Sequence, residues 1–181
     1  MGIKVLDIID YTPKASDIFF FDNTIWMYLF CPLGDYNKKK QKHYSSFLKS
    51  IGSSNSTIFI TSLILSEFTN RYLRLDFDLW KKETSKFTAS FKKDYIGTQR
   101  YKDTISEIVV SIKNILGLCE KTPDNFNAIN INNVFNHLSF IDFNDSYYIE
   151  LANLGKYKIV TDDYDFISYQ NHNIEVFTIT R

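Results

Sequence analysis

Ile18, Phe19, Phe20 and Phe21 form an unbroken apolar run that ends abruptly in Asp22, Asn23 and Thr24. Strict alternation of apolar and polar residues marks a strand with one face in water, whereas four apolar residues in succession mark a strand covered on both faces. Helices on each side of a sheet provide that cover, so this segment places the chain in the α/β class. Residues 57–60 and 138–141 read as a second and third buried strand, and residues 157–160 and 174–177 as two more. Helical spacing fills the intervals. A first helix covers 24–30 and stops at Pro32 and Gly34, and a second carries Tyr44, Phe47, Leu48 and Ile51 on one face. A third runs from 62 to about 75, and a fourth places Tyr101, Ile105, Ile108, Val109, Ile112 and Leu116 on one stripe before Gly117. Residues 124–136 are polar and Asn-rich and read as loop with one or two short turns, 143–153 as a helix capped by Gly155, and 162–172 as the connector between the last two strands. No hairpin turn separates the strands, so they run parallel. The expected architecture is a three-layer α/β/α domain over residues 1–181, with a central, mostly parallel sheet of four to five strands and a helical insertion at 76–125.

The composition supports a folded chain. Of 181 residues 44% are hydrophobic, with 16 Phe and 12 Tyr, enough to bury a core. Equal numbers of basic and acidic residues, 21 each, exclude a wholly basic nucleic-acid coat and an acidic disordered tail. The charges are nevertheless sorted along the chain. Residues 38–102 hold 14 basic against five acidic residues, whereas 103–181 hold five basic against 11 acidic. Cys31 and Cys119 lack metal-ligand spacing and read as free thiols. The amino-terminal segment carries acids within its short apolar run, unlike a secretory signal, and no run is long enough to span a bilayer. A soluble, cytoplasmic protein with no membrane partner is the expectation.

In parallel sheets, ligands bind outside the carboxyl ends of the strands. Acidic residues fall there. Asp22 follows the first strand, Asp142 ends the third with Asp145 opening the next helix, and Asp162, Asp163 and Asp165 follow the fourth. Glu67 lies two turns into the helix after the second strand. Converging carboxylates repel and lose solvation unless a divalent cation neutralises them, and oxygen ligands select magnesium or manganese over zinc. Each acid also has a structural reading. Asp22 and Asp145 suit helix caps, Glu67 suits an i,i+4 pair with Arg71, and one of the three late aspartates suits a turn.

These segments resemble the PIN domain family. The match runs in order through Ile18 to Thr24, Ser66-Glu67, Asp145 to Ala152 and Ile159 to Phe166, the last being the most specific. The resemblance implies a magnesium- or manganese-dependent ribonuclease, like the toxins of bacterial toxin–antitoxin pairs, with an RNA substrate and an antitoxin protein or a second copy as partner. It implies catalytic and metal-holding roles for Asp22, Glu67, Asp145 and Asp163, with Asp142 and Asp165 as second choices. Tyr147, Tyr148 and Tyr164 depart from the family pattern without removing a carboxylate, and residues 76–125 are longer than in compact members. Some PIN domains have lost activity, so an inactive RNA- or protein-binding module is the alternative reading.

The basic middle offers the positive surface an acidic site lacks. Lys81, Lys82, Lys86, Lys92, Lys93 and Arg100 are the candidate phosphate track, and Trp80, Phe91, Tyr95 and Tyr101 are interleaved to stack unpaired bases. Two other readings stand beside it: aromatics in a core with solvated lysines, or a docking face for an antitoxin or second copy. A haloacid-dehalogenase-like phosphatase is the disfavoured rival enzyme, because it needs an acid two residues beyond Asp22, where this chain has Thr24.

Overall fold

The computed structural model describes residues 4–169 and 173–180, so the end of the 162–172 connector lies outside the described residues. One sheet holds six strands in the order β1-β6-β5-β2-β3-β4, every neighbouring pair parallel. They are β1 (Lys4–Asp7), β2 (Ile18–Phe21), β3 (Thr57–Ile60), β4 (Glu120–Lys121), β5 (Lys158–Val160) and β6 (Glu175–Thr178). Among the described residues seven α-helices connect them: α1 (Asn23–Phe30), α2 (Lys38–Ser53), α3 (Ser62–Glu83), α4 (Gln99–Leu116), α5 (Ile131–His137), α6 (Phe143–Gly155) and α7 (Tyr164–Ser168).

The apolar run of β2 is covered on both faces. Phe19 meets Phe47 of α2 at 5.5 Å between ring centres, and Phe20 meets Tyr148 of α6 at 5.2 Å. Alternate residues of a strand point to opposite faces, so α2 and α6 flank the sheet on different sides and complete three α/β/α layers. Phe21 turns to Trp26 of α1, whose indole N–H donates to the Phe21 carbonyl at 3.1 Å.

Two features of the topology position the site. Chain leaving β2 goes to β3 on one side, whereas chain leaving β5 goes to β6 on the other, and β2 and β5 are neighbours. Their carboxyl ends therefore flank a topological switch point, the place at which open parallel sheets bind ligands.

Several expectations are corrected. Six strands replace four to five, and the sheet is parallel throughout. Residues 138–141 are not a strand: backbone N–H groups of Phe140 and Ile141 both donate to the His137 carbonyl, and Leu138 and Phe140 stand 41% and 66% exposed. In the polar stretch before them, the short turns expected within a loop extend to a two-turn helix, α5, which Asn130 caps by accepting from the Asn132 N–H. β1 is half apolar and β4 is two charged residues on an edge, so neither displays a buried-strand pattern.

α3 continues through Glu83, so the expected insertion boundary at 76 falls inside one helix. Beyond it, a π-helical turn at Phe91–Tyr95 leads to α4. Trp80 and Tyr95 are buried with Phe77 in a small second core, and Phe91 and Tyr101 pack against it. Trp80 and Tyr95 are thus core residues and not base-stacking surface, and Phe87 stands outside that core, 70% exposed. At the end of α6 the left-handed residue is Lys156 and not Gly155. Gly155 serves close approach instead, since a Cβ there would sit 2.2 Å from the Tyr157 ring. Both cysteines are free thiols. Among the described residues no helix is long and apolar enough to cross a membrane.

Candidate active site at the carboxyl edge of the sheet

Asp22 leaves β2 in extended conformation and caps α1, its Oδ2 accepting from the Thr24 N–H at 3.2 Å. The Thr161 hydroxyl, just past β5, donates to the same oxygen at 3.1 Å and accepts from the Asp163 N–H at 2.9 Å. Asp163 in turn caps α7 by accepting from the Asp165 N–H at 2.9 Å. One threonine therefore couples the two acids that follow the central strands. Asp22 is only 4% exposed, and burial pushes its carboxyl above the ordinary aspartate range.

Glu67 faces this edge from α3. Its Oε2 accepts from the Tyr148 hydroxyl at 2.9 Å and the Asn144 amide at 3.3 Å, and its Oε1 from the Asn23 amide at 3.4 Å. The expected pair with Arg71 is replaced, because Arg71 donates to the Thr24 hydroxyl at 3.3 Å. Burial raises the Glu67 carboxyl against the Tyr148 hydrogen bond, and the charges of Asp22 and Asp142 add to the rise. Asp145 occupies the first turn of α6. It is pushed up to about 9 by burial and then by the charges of Asp22, Asp142, Asp163 and Glu67. Four carboxylates thus act on a fifth across one shared space.

Asp142 does not end a strand. It caps α6, accepting from the Asp145 N–H at 2.9 Å, so a helix start supplies what the sequence assigned to a strand end. Asp162 belongs to another network: Tyr28 and Lys40 each reach its Oδ2 at 2.7 Å, and Tyr44 its Oδ1 at 3.2 Å. Asp165 is exposed on α7.

The donor set suits a hard cation. Every candidate ligand offers oxygen, and Asn23, fully buried beside Glu67, has an Oδ1 that accepts no hydrogen bond. Among the described residues no three His, Cys, Asp or Glu side chains are already gathered as an ion-holding cluster. The fit is therefore one of chemistry and placement around a common space.

The basic middle is only partly free. Arg100 is not an open cation, since its guanidinium grips buried Asp76, which also accepts from Tyr95 and Thr104. Lys81 pairs with Asp78 at 2.8 Å, and Lys86 lies 5.2 Å from the Trp80 ring centre. Lys82, Lys92 and Lys93 are exposed.

Asn23, Asn144, Tyr148 and Thr161 were legible only in part. Asn23 and Thr161 sit in the quoted motifs, but Tyr148 stood out only as a departure, and nothing in the spacing marked Asn144. Helical spacing does bring Asn144 and Tyr148 to one face four residues apart, which is how both reach Glu67.

Three α/β/α layers about one parallel sheet make a PIN-like fold. The structure is similar to a chain in the crystal structure of VapBC2 from Rickettsia felis bound to a DNA fragment from their promoter, with a TM-score of 0.55, 14% identity, and coverage of 89% of this chain and 98% of that one. It is also matched to PAE2754 from Pyrobaculum aerophilum, with a TM-score of 0.47, 13% identity, and coverage of 94% and 90%. At such identity the first likeness shows a shared fold. No protein-family model and no curated protein matches the chain.

Proposed function

We propose that this chain is a magnesium- or manganese-dependent endoribonuclease. The observation that carries the reading is the coupling of Asp22 and Asp163 through Thr161 at the switch point between β2 and β5. Asp22, Glu67, Asp145 and Asp163 would hold the cation, directly or through water, with Asp142 and Asp165 orienting waters. A bound divalent cation supplies an activated water and neutralises charge growing on the phosphoryl oxygens. The chain's own residues do the rest. Thr161 and Thr24 fix the Asp22 carboxylate, and Tyr148 and Asn144 fix Glu67. The likeness in fold to a chain of the VapBC2 structure supports the further reading of this chain as the toxin of a toxin–antitoxin pair.

The test is cleavage of RNA by purified protein with Mg²⁺ or Mn²⁺. Asp22→Asn and Asp163→Asn retain the capping acceptor, because Asn caps as well as Asp, so folding persists while cleavage is lost by about two orders of magnitude or more. Cleavage undiminished in either variant defeats the assignment. RNA binding by an unaltered protein that cuts nothing under either cation supports the inactive binding module instead.

A further inference from the structure

Among the described residues, two buried side-chain polar atoms lack any hydrogen-bond partner: Asn23 Oδ1 in the acid site, and Asp124 Oδ1. Buried acceptors are almost always satisfied, so the second needs its own explanation. Asp124 borders a cavity of about 610 Å³ at the carboxyl ends of β3 and β4. Ile60, Leu65, Leu116 and Pro123 give it apolar walls, and Ser62 and Thr122 join Asp124 in giving it polar groups. Its volume falls within the range of small-ligand pockets.

The cavity is tied rigidly to the acid edge. Consecutive residues of α6 reach both places: the Tyr148 hydroxyl donates to Glu67 at 2.9 Å, and the Tyr147 hydroxyl donates to the Asp124 carbonyl at 2.8 Å. α3 does the same, with Ser62 donating to Asp124 Oδ2 at 3.0 Å and Glu67 five residues on, about 7.5 Å along the axis. The opening therefore lies within about one nucleotide's reach of a phosphate held at the acids.

We infer that the cavity receives a nucleobase of the RNA and selects one that carries an amino group. The inference rests on reading the acid edge as an RNA site. A base is planar, with apolar faces for the Ile60, Leu65 and Leu116 walls and a polar edge for Asp124. Carboxylate oxygens accept, and Ser62 already occupies Oδ2, so Oδ1 remains for a ligand donor. The Cβ–Cγ torsion of an aspartate is broad, and a small rotation presents Oδ1 to the cavity. Cytosine, adenine and guanine carry an exocyclic amino donor, whereas uracil's one donor, its ring N3–H, lies between two carbonyl oxygens that repel a carboxylate.

Nucleosides test this independently of cleavage, because they are uncharged and need no cation at the acids. Their binding is followed through the methyl resonances of Ile60, Leu65 and Leu116. Cytidine, adenosine and guanosine should shift these signals, with uridine at least about tenfold weaker, and Asp124→Asn should erase that difference. Leu65→Phe narrows the cavity and should weaken every nucleoside, which covers the case in which Asp124→Asn misfolds. Methyl signals unmoved by any nucleoside, or uridine binding as tightly as cytidine, overturn the inference. Nucleoside binding by a chain that never cleaves RNA fails the nuclease reading alone, and cleavage without nucleoside binding fails the pocket alone.

Discussion

At the scale of single residues, Asp145 shows how the site is built. Helix starts favour negative charge, yet burial and four neighbouring carboxylates push this group up to about 9. Its folded value therefore lies above the ordinary aspartate value of 3.8. The sign follows by linkage: the stability this group contributes is complete below about pH 3.8 and is lost as pH climbs toward 9. With cations chelated, the melting temperature should fall steadily between about pH 5 and pH 9, and Asp145→Asn should flatten that slope. Added Mn²⁺ should raise the melting temperature most at the alkaline end, where protons no longer compete for the carboxylates. A cation-free melting curve insensitive to pH would contradict the repulsion. Asp22 and Asp163 stand where the sequence puts them because strand-end position is a one-dimensional signal, whereas Asp142 and Asp145 open a helix that no strand precedes. The partners of these acids were not legible. Tyr148 reaches Glu67 across 81 positions, and such a contact has no local pattern.

At the scale of elements, legibility followed burial. β2, β3, β5 and β6 were read within a residue or so of their ends because each displays its apolar faces in sequence. Residues 138–141 misled for the same reason: Leu138 and Phe140 are apolar but lie on the surface, and short runs cannot distinguish the two cases. The α3–α4 unit holds a different lesson, since Asp76 looks like one more acid of an amphipathic helix. Burial raises its carboxyl, but hydrogen bonds from Arg100, Tyr95 and Thr104 outweigh burial and hold it below the usual range. The stability it contributes is present above its ordinary value and lost as pH falls through the lowered one. Asp76→Ala would leave the Arg100 guanidinium and the Tyr95 hydroxyl without their acceptor. The expected cost is about 3–5 kcal/mol by urea unfolding at neutral pH. A loss below about 1 kcal/mol would show that the network is solvated and unimportant.

At the scale of the whole molecule, a balanced charge conceals a division that the fold spreads along one helix. α3 begins beside the acid edge and ends among the exposed lysines, Glu67 and Lys82 being 15 residues apart. At 1.5 Å per residue the separation is about 22 Å, well beyond a Debye length of about 8 Å at physiological ionic strength. Lysines at that distance have no electrostatic grip on a phosphate at the acids, but they can hold phosphates of the same strand several nucleotides away. Substituting Lys82, Lys92 and Lys93 together with Gln should therefore leave cleavage of a tetranucleotide unchanged. Affinity for a strand of 20 or so nucleotides should fall, and its logarithmic dependence on salt should become shallower by about 2, the value for three fewer single-strand phosphate contacts. Equal loss on short and long substrates would mean that the substitutions disturbed the acid edge. An unchanged salt slope on the long strand would leave this surface as a protein-docking face or a plain solvated helix.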